Sequence, residues 1–122
     1  MVTGQRGRFP SSVYESGDEP DARFTLANER TFLAWVGAGL ALISAGVGLD
    51  SLASALHPGL RLAASVVLVL GGMVSAAQAW FGWMATEKSL RNHRPLPATT
   101  FAIVLPVVLG IAAVLILIGI LA

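Results

Sequence analysis

The chain has 122 residues, 55% hydrophobic and 12% charged, against roughly 25% charge in an ordinary water-soluble domain. So small a chain cannot bury that much apolar side chain in a soluble core, and the bilayer is its expected solvent. The absence of cysteine excludes disulfide scaffolds, thiol nucleophiles and cysteine metal sites. Eight Lys and Arg nearly cancel seven Asp and Glu, which gives no general reason to expect nucleic acid as a partner.

Residues 1–20 are rich in Gly, Ser, Pro and charge, with two isolated aromatics, Phe9 and Tyr14. This composition predicts a flexible cytoplasmic leader, with a short docked segment left open. A polar start of this length does not resemble a signal peptide, so the first apolar stretch is expected to stay attached. Ordered structure should begin at Asp21, whose carboxylate could cap a helix that enters the membrane without a break.

Residues 21–122 then read as an all-α, three-transmembrane-helix unit. Three uncharged stretches carry this assignment, 31–49, 62–86 and 101–122, each of 19 residues or more. At 1.5 Å of rise per residue that is about the length a hydrocarbon core of roughly 30 Å requires. Allowing for helix ends, the spans are expected at about 31–56, 62–86 and 99–122.

Within the approach to the first span, 21–35, a helix places Arg23, Ala27 and Arg30 on one face and turns Asn28 and Glu29 toward others. Two readings stay open. Arginines seven residues apart could present a basic ring when several copies surround an axis, or they could snorkel to lipid phosphates as anchors. Farther along, Gly37, Ala41, Ala45 and Gly48, with Ser44 nearby, form small steps at near-helical spacing. Gly71, Ser75 and Ala79 do the same in the second span. Such faces allow close helix packing, within the unit or between subunits.

Gln78 lies deep in the second span, and its amide is expected to bond across helices, to line a pore or to snorkel. Asp50 could join Arg61 across the short first loop, and His57 precedes a Pro58-Gly59 turn. His93, between Arg91 and Arg94 with one residue spacing it from the former, could tune a basic patch with pH but reads more readily as an ordinary solvated loop histidine. Pro106 could kink the third span, whereas Pro95 and Pro97 stiffen the second loop. None of these residues has the second ligand or nucleophile that a metal or catalytic site needs. No phosphate cradle or metalloprotease pair occurs either, so no cofactor, metal or enzymatic activity is expected.

Bases indicate the orientation. Arg6, Arg8, Arg23 and Arg30 precede the first span and Lys88, Arg91 and Arg94 lie between the second and third, whereas the other loop has only Arg61. This asymmetry predicts a cytoplasmic N-terminus and an outside C-terminus. Phe32, Trp35, Trp80, Phe81, Trp83 and Phe101 then all fall at the inner interface, where aromatic rings anchor helices, with Phe32, Trp35, Trp80 and Trp83 as the main anchors.

The run from Leu26 through Ala27, Asn28, Glu29, Arg30, Thr31, Phe32, Leu33 and Ala34 to Trp35, followed by three spans, resembles the DUF202 family, which includes the YidH-like bacterial membrane proteins. The similarity covers roughly residues 21–120. The same domain resembles the membrane portion of the yeast vacuolar transporter chaperone complex. That resemblance implies three-helix units around a path for polyphosphate, with Arg23 and Arg30 attracting phosphate groups at a cytoplasmic entrance and Asn28 and Glu29 holding the entrance by hydrogen bonds or salt links. It also implies a multi-pass protein of a bacterial-type inner or plasma membrane. Many bacterial relatives carry an Arg-Thr pair two positions beyond the tryptophan. Gly37 and Ala38 stand there instead, which removes a deeper basic residue and favours packing on that face.

Two function classes follow. One is a homo-oligomer, trimer to pentamer, with a channel-like path for phosphate-bearing or other anions. The other is a non-transporting structural or accessory protein that binds lipids or partner membrane proteins.

Overall fold

The computed structural model describes residues 8–97 and 103–122. Among them the fold is all-α, with α1 (Ser11–Tyr14), α2 (Ala22–Leu52), α3 (Pro58–Arg91) and α4 (Val104–Leu121) in chain order. The last three are the membrane-spanning helices, each long and apolar enough to cross a bilayer. Their surfaces carry the same message: Leu33, Leu40 and Val47 along α2, and Leu62, Leu70 and Met73 along α3, stand exposed. Rows of apolar side chains like these require an apolar solvent. The expectations for Arg6 and Phe101 fall outside the described residues.

The helix bounds differ from the expected spans for local reasons. Asp21 does cap α2: its Oδ1 accepts the Arg23 backbone N–H at 2.8 Å, and its carbonyl accepts the Phe24 N–H at 3.0 Å. The helix therefore starts well before residue 31, and it ends at Leu52 instead of 56. Pro58 opens α3, a first helical position that needs no N–H donor. The preceding His57 acts as its cap, with Nδ1 accepting the Leu60 N–H at 3.4 Å. At the other end α3 runs on to Arg91 instead of stopping at 86. The 31 residues of α2 and 34 of α3 correspond to about 46 and 51 Å, more than a hydrocarbon core of roughly 30 Å. Both helices thus carry polar turns beyond their apolar lengths. Pro106 is the third residue of α4, in the first turn, where a backbone N–H has no intrahelical acceptor to lose.

Two compact units divide the described residues, 8–34 with 79–97, and 35–78 with 103–122. In the second, Leu42, Leu68 and Ala112, one from each long helix, form the core, and Leu49, Val67, Leu105 and Val108 pack around it. Its tightest approach is between glycines. A Cβ on Gly39 would stand 2.8 Å from the Gly72 carbonyl oxygen, and one on Gly72 would stand 2.6 Å from that of Gly39. Gly46 similarly admits the Ser65 carbonyl and the Val69 side chain, and Gly71 accepts Val108 of α4. Ser75 Oγ donates to the Trp35 carbonyl at 2.9 Å, which satisfies a buried hydroxyl without water.

The small residues of α3 are accordingly buried, Gly71 and Ser75 in this unit and Ala79 in the other. Those expected on α2 are not. Gly37, Ala41 and Ala45 are exposed and Gly48 is half-buried, and a Cβ added at Gly37 or Gly48 would meet nothing within 4 Å. Arg61 does not join Asp50 either; its Nη1 donates to the Ala53 carbonyl at 3.4 Å, just past the end of α2. Gln78 is half-buried and its amide has no hydrogen-bond partner among the described residues.

Candidate functional site

The start of α2, the end of α3 and the residues around α1 make up the first unit. Its centre is polar. Asn28 is 6% exposed and Glu87 1%. Asn28 Nδ2 donates to the Trp83 carbonyl at 3.1 Å and to Glu87 Oε1 at 3.3 Å, while Thr25 Oγ1 donates to Glu87 Oε2 at 3.1 Å. The two acceptors on α3 are four residues apart, one helical turn, so a single amide reaches both. A buried amide or carboxyl group strongly disfavours losing its partners, so this network fixes the rotation of α2 about its axis.

That rotation decides where the rest of the motif points. With Asn28 inward, Ala27, Glu29 and Arg30 are exposed. The Arg23 side chain is 84% exposed and pairs with its own cap, Nη2 to Asp21 Oδ2 at 3.2 Å. Hydrogen bonds from the Arg23 side chain and backbone N–H hold the Asp21 carboxyl below its ordinary range. Arg30 has no acidic partner among the described residues. Asn28, expected together with Arg23, Glu29 and Arg30 at an entrance, turns inward to Trp83 and Glu87. Glu29 makes neither a hydrogen bond nor a salt link among the described residues.

Arg91, the last residue of α3, is 1% exposed and belongs to no surface patch. Its Nε donates to the Ser16 carbonyl at 2.8 Å and its Nη2 to the Tyr14 carbonyl at 2.9 Å. Nη1 reaches Glu19 Oε1 at 3.4 Å. The Asp18 N–H donates to the Arg91 carbonyl at 2.8 Å. Gly17, with φ of 56°, lies so close to that carbonyl that no Cβ fits. Arg8 adds a 3.0 Å ion pair to Glu19 and lies 4.3 Å from the centre of the Tyr14 ring. Hydrogen bonding from Arg8, with a smaller contribution from Arg91, holds the Glu19 carboxyl below its ordinary range despite some opposing desolvation. A short segment of the polar leader thus docks at α1, with Val13 fully buried.

Aromatic rings line the same unit. Trp80 and Trp83 stack at 5.7 Å, Phe9 lies over Trp80 at 6.1 Å, and Tyr14 meets Trp83 at 6.2 Å. Beside them Glu29, Phe32, Leu33, Trp80 and Trp83 line an open cavity of about 300 Å³. Three of the four expected anchors, Phe32, Trp80 and Trp83, are therefore neighbours, whereas Trp35 belongs to the other unit. Sequence reasoning missed Thr25, Glu87 and the burial of Arg91. A signal was present: Ala79, Trp83, Glu87 and Arg91 continue the four-residue spacing of Gly71 and Ser75 beyond the uncharged run 62–86. No cluster of three or more His, Asp or Glu able to hold a metal occurs among the described residues.

Residues 23–89 match the profile of the family described as "Domain of unknown function (DUF202)". The chain is 40% identical over 104 residues to "Inner membrane protein YidH" of Escherichia coli strain K12, spanning 83% of this chain and 89% of that protein. It is 44% identical over 80 residues to "Uncharacterized protein Rv2272" of Mycobacterium tuberculosis strain H37Rv, spanning 65% of this chain and 66% of that one. No solved structure matches the chain.

Proposed function

Since the chain belongs to the DUF202 family, we propose that it is a multi-pass protein of the bacterial inner membrane, the membrane named for its YidH relative. In this reading several copies form a ring of three to five subunits around a path for phosphate-bearing or other anions. Its N-terminus and second loop face the cytoplasm, where Arg23 and Arg30 attract anions at the mouth. The observation that carries the reading is the inward lock of Asn28 on Trp83 and Glu87, which leaves both arginines exposed on the outside of their own subunit. A face that one subunit leaves open is available to a shared axis.

The outward small residues Gly37, Ala41 and Ala45 supply the contact between copies, because close backbone approach is the main source of attraction between helices in lipid. Gly37 and Ala38 lack the basic pair carried by many relatives, so the electrostatic attraction is confined to the mouth. Gln78, without a hydrogen-bond partner among the described residues, bonds a neighbouring subunit or water in the path. Polyphosphate is the first anion to test, on the resemblance of the run from Leu26 to Trp35 to the membrane portion of the vacuolar transporter chaperone complex.

The test is flux into proteoliposomes, with native mass spectrometry of the same preparation. The expected result is a closed ring, with passage of phosphate or polyphosphate reduced about tenfold or more in the Arg23→Gln, Arg30→Gln double variant at unchanged stoichiometry, since two cations at a narrow mouth act together. Undiminished flux in a correctly assembled variant would overturn the entrance role. A monomer or simple dimer in lipid-retaining conditions would leave a non-transporting accessory protein as the better account.

A further inference from the structure

The cavity beside the motif has a composition that the anion path does not use. Its lining holds two indoles, a phenyl ring, a leucine and one charged group, the Glu29 carboxylate. No base neutralises that group among the described residues. Arg23 is paired with Asp21, and Arg8 and Arg91 with Glu19, while Arg30, next in sequence, is exposed and does not line the cavity. Aromatic faces carry negative quadrupole charge, so rings and carboxylate act in the same sense and attract a cation. About 300 Å³ lies at the small end of the range for ligand sites, enough for a headgroup, and the cavity is open, so an attached acyl chain can leave it.

Position along the chain narrows the class of cation. Glu29 is the last acidic residue before the uncharged run 31–49, so the carboxylate stands where the helix passes from polar surroundings to hydrocarbon. Leu33, one turn farther toward that hydrocarbon, lines the cavity and is 63% exposed, which provides an apolar surface for an acyl chain. A carboxylate accepts hydrogen bonds that a primary ammonium can donate and a trimethylated one cannot. We propose that the cavity of Glu29, Phe32, Leu33, Trp80 and Trp83 binds the primary-ammonium headgroup of a phospholipid, with phosphatidylethanolamine as its representative. The site does not depend on the anion path, since Arg23 and Arg30 are not among its lining residues.

The experiment is native mass spectrometry of the purified full-length protein with phosphatidylethanolamine, phosphatidylcholine and phosphatidylglycerol of identical acyl chains at equal concentration. The ethanolamine lipid should be retained about fivefold over the other two, from a charge-assisted pair and ring contacts of about 1 kcal/mol together. Glu29→Gln, an isosteric change at an exposed position, should abolish that preference without altering subunit number, and Phe32→Leu should reduce it. No preference in the native chain, or a preference that survives Glu29→Gln, overturns the proposal. Displacement of the lipid by equimolar soluble phosphoethanolamine would overturn the assignment to a lipid and point to a soluble amine. Because no flux is measured, none of these outcomes depends on whether the protein conducts anions.

Discussion

Asn28 donates to two acceptors on α3, the Trp83 carbonyl and Glu87 Oε1, and its loss would leave buried acceptors that water cannot reach. Asn28→Ala is therefore expected to destabilise the protein by about 1–3 kcal/mol, the cost of leaving such groups unpaired. Asn28→Asp should be worse, because it replaces the donor by an acidic group facing a carbonyl and a second carboxyl group. Glu87→Gln keeps an acceptor for Thr25 or Asn28 and should be milder than either. Thermal unfolding in detergent, followed by circular dichroism, gives the order; an Asn28→Ala variant as stable as the native chain would remove Asn28 from its role in orienting α2. Arg23 and Arg30 should show the opposite pattern. Both are exposed, and surface charges contribute at most about 1 kcal/mol, so their substitution should leave stability nearly unchanged.

The two glycine sets of α2 make opposite predictions. Gly39→Ala places a methyl group 2.8 Å from the Gly72 carbonyl, backbone that cannot move aside without separating the helices, and should cost about 1–3 kcal/mol. Gly37→Ala adds the same group where nothing lies within 4 Å and should be neutral or slightly stabilising in the single subunit, since alanine is the better helix former. Unfolding of both variants in detergent that separates subunits checks the contrast, and equal effects would contradict the packing described. The three spans were legible in composition and length alone, because hydrocarbon thickness sets a simple threshold. The face of α2 was harder to read, as glycines at 37, 39, 46 and 48 offer two interleaved stripes. A finer rule separates them. Asn28, Phe32, Trp35, Gly39, Leu42, Gly46 and Leu49 recur at alternating steps of four and three, the seam of helices that pack along their length, and each is buried or half-buried. Polar Asn28 and the large ring of Trp35 conceal that seam from a search for small residues. Glu87 and Arg91 were concealed differently: a charged residue after an apolar run reads as loop unless the four-residue spacing that begins at Gly71 is followed through it.

On the scale of the whole chain, residues far apart in sequence are tied at the end of α3. Arg91 bonds carbonyls 75 and 77 positions earlier, and Glu19 bridges Arg91 and Arg8. These ties differ in kind, and pH separates them. The Glu19 carboxyl is held below its ordinary value of 4.5 by its arginines, so its contribution is complete above that value and is lost as pH falls through the lowered one. Glu19 and Arg8 are both more than a third exposed, and solvent screening limits that contribution to about 0.5 kcal/mol. Arg91 is 1% exposed and its bonds to backbone carbonyls need no carboxylate. Acidification from pH 6 to 3 should therefore loosen residues 11–20 only slightly, whereas Arg91→Ala should release them at every pH. Hydrogen exchange of the amides of Val13 and Asp18, which donate to the Pro10 and Arg91 carbonyls, reports the difference. A large, cooperative loss of protection on acidification of the native chain would show that Glu19 holds the segment and that the buried guanidinium does not.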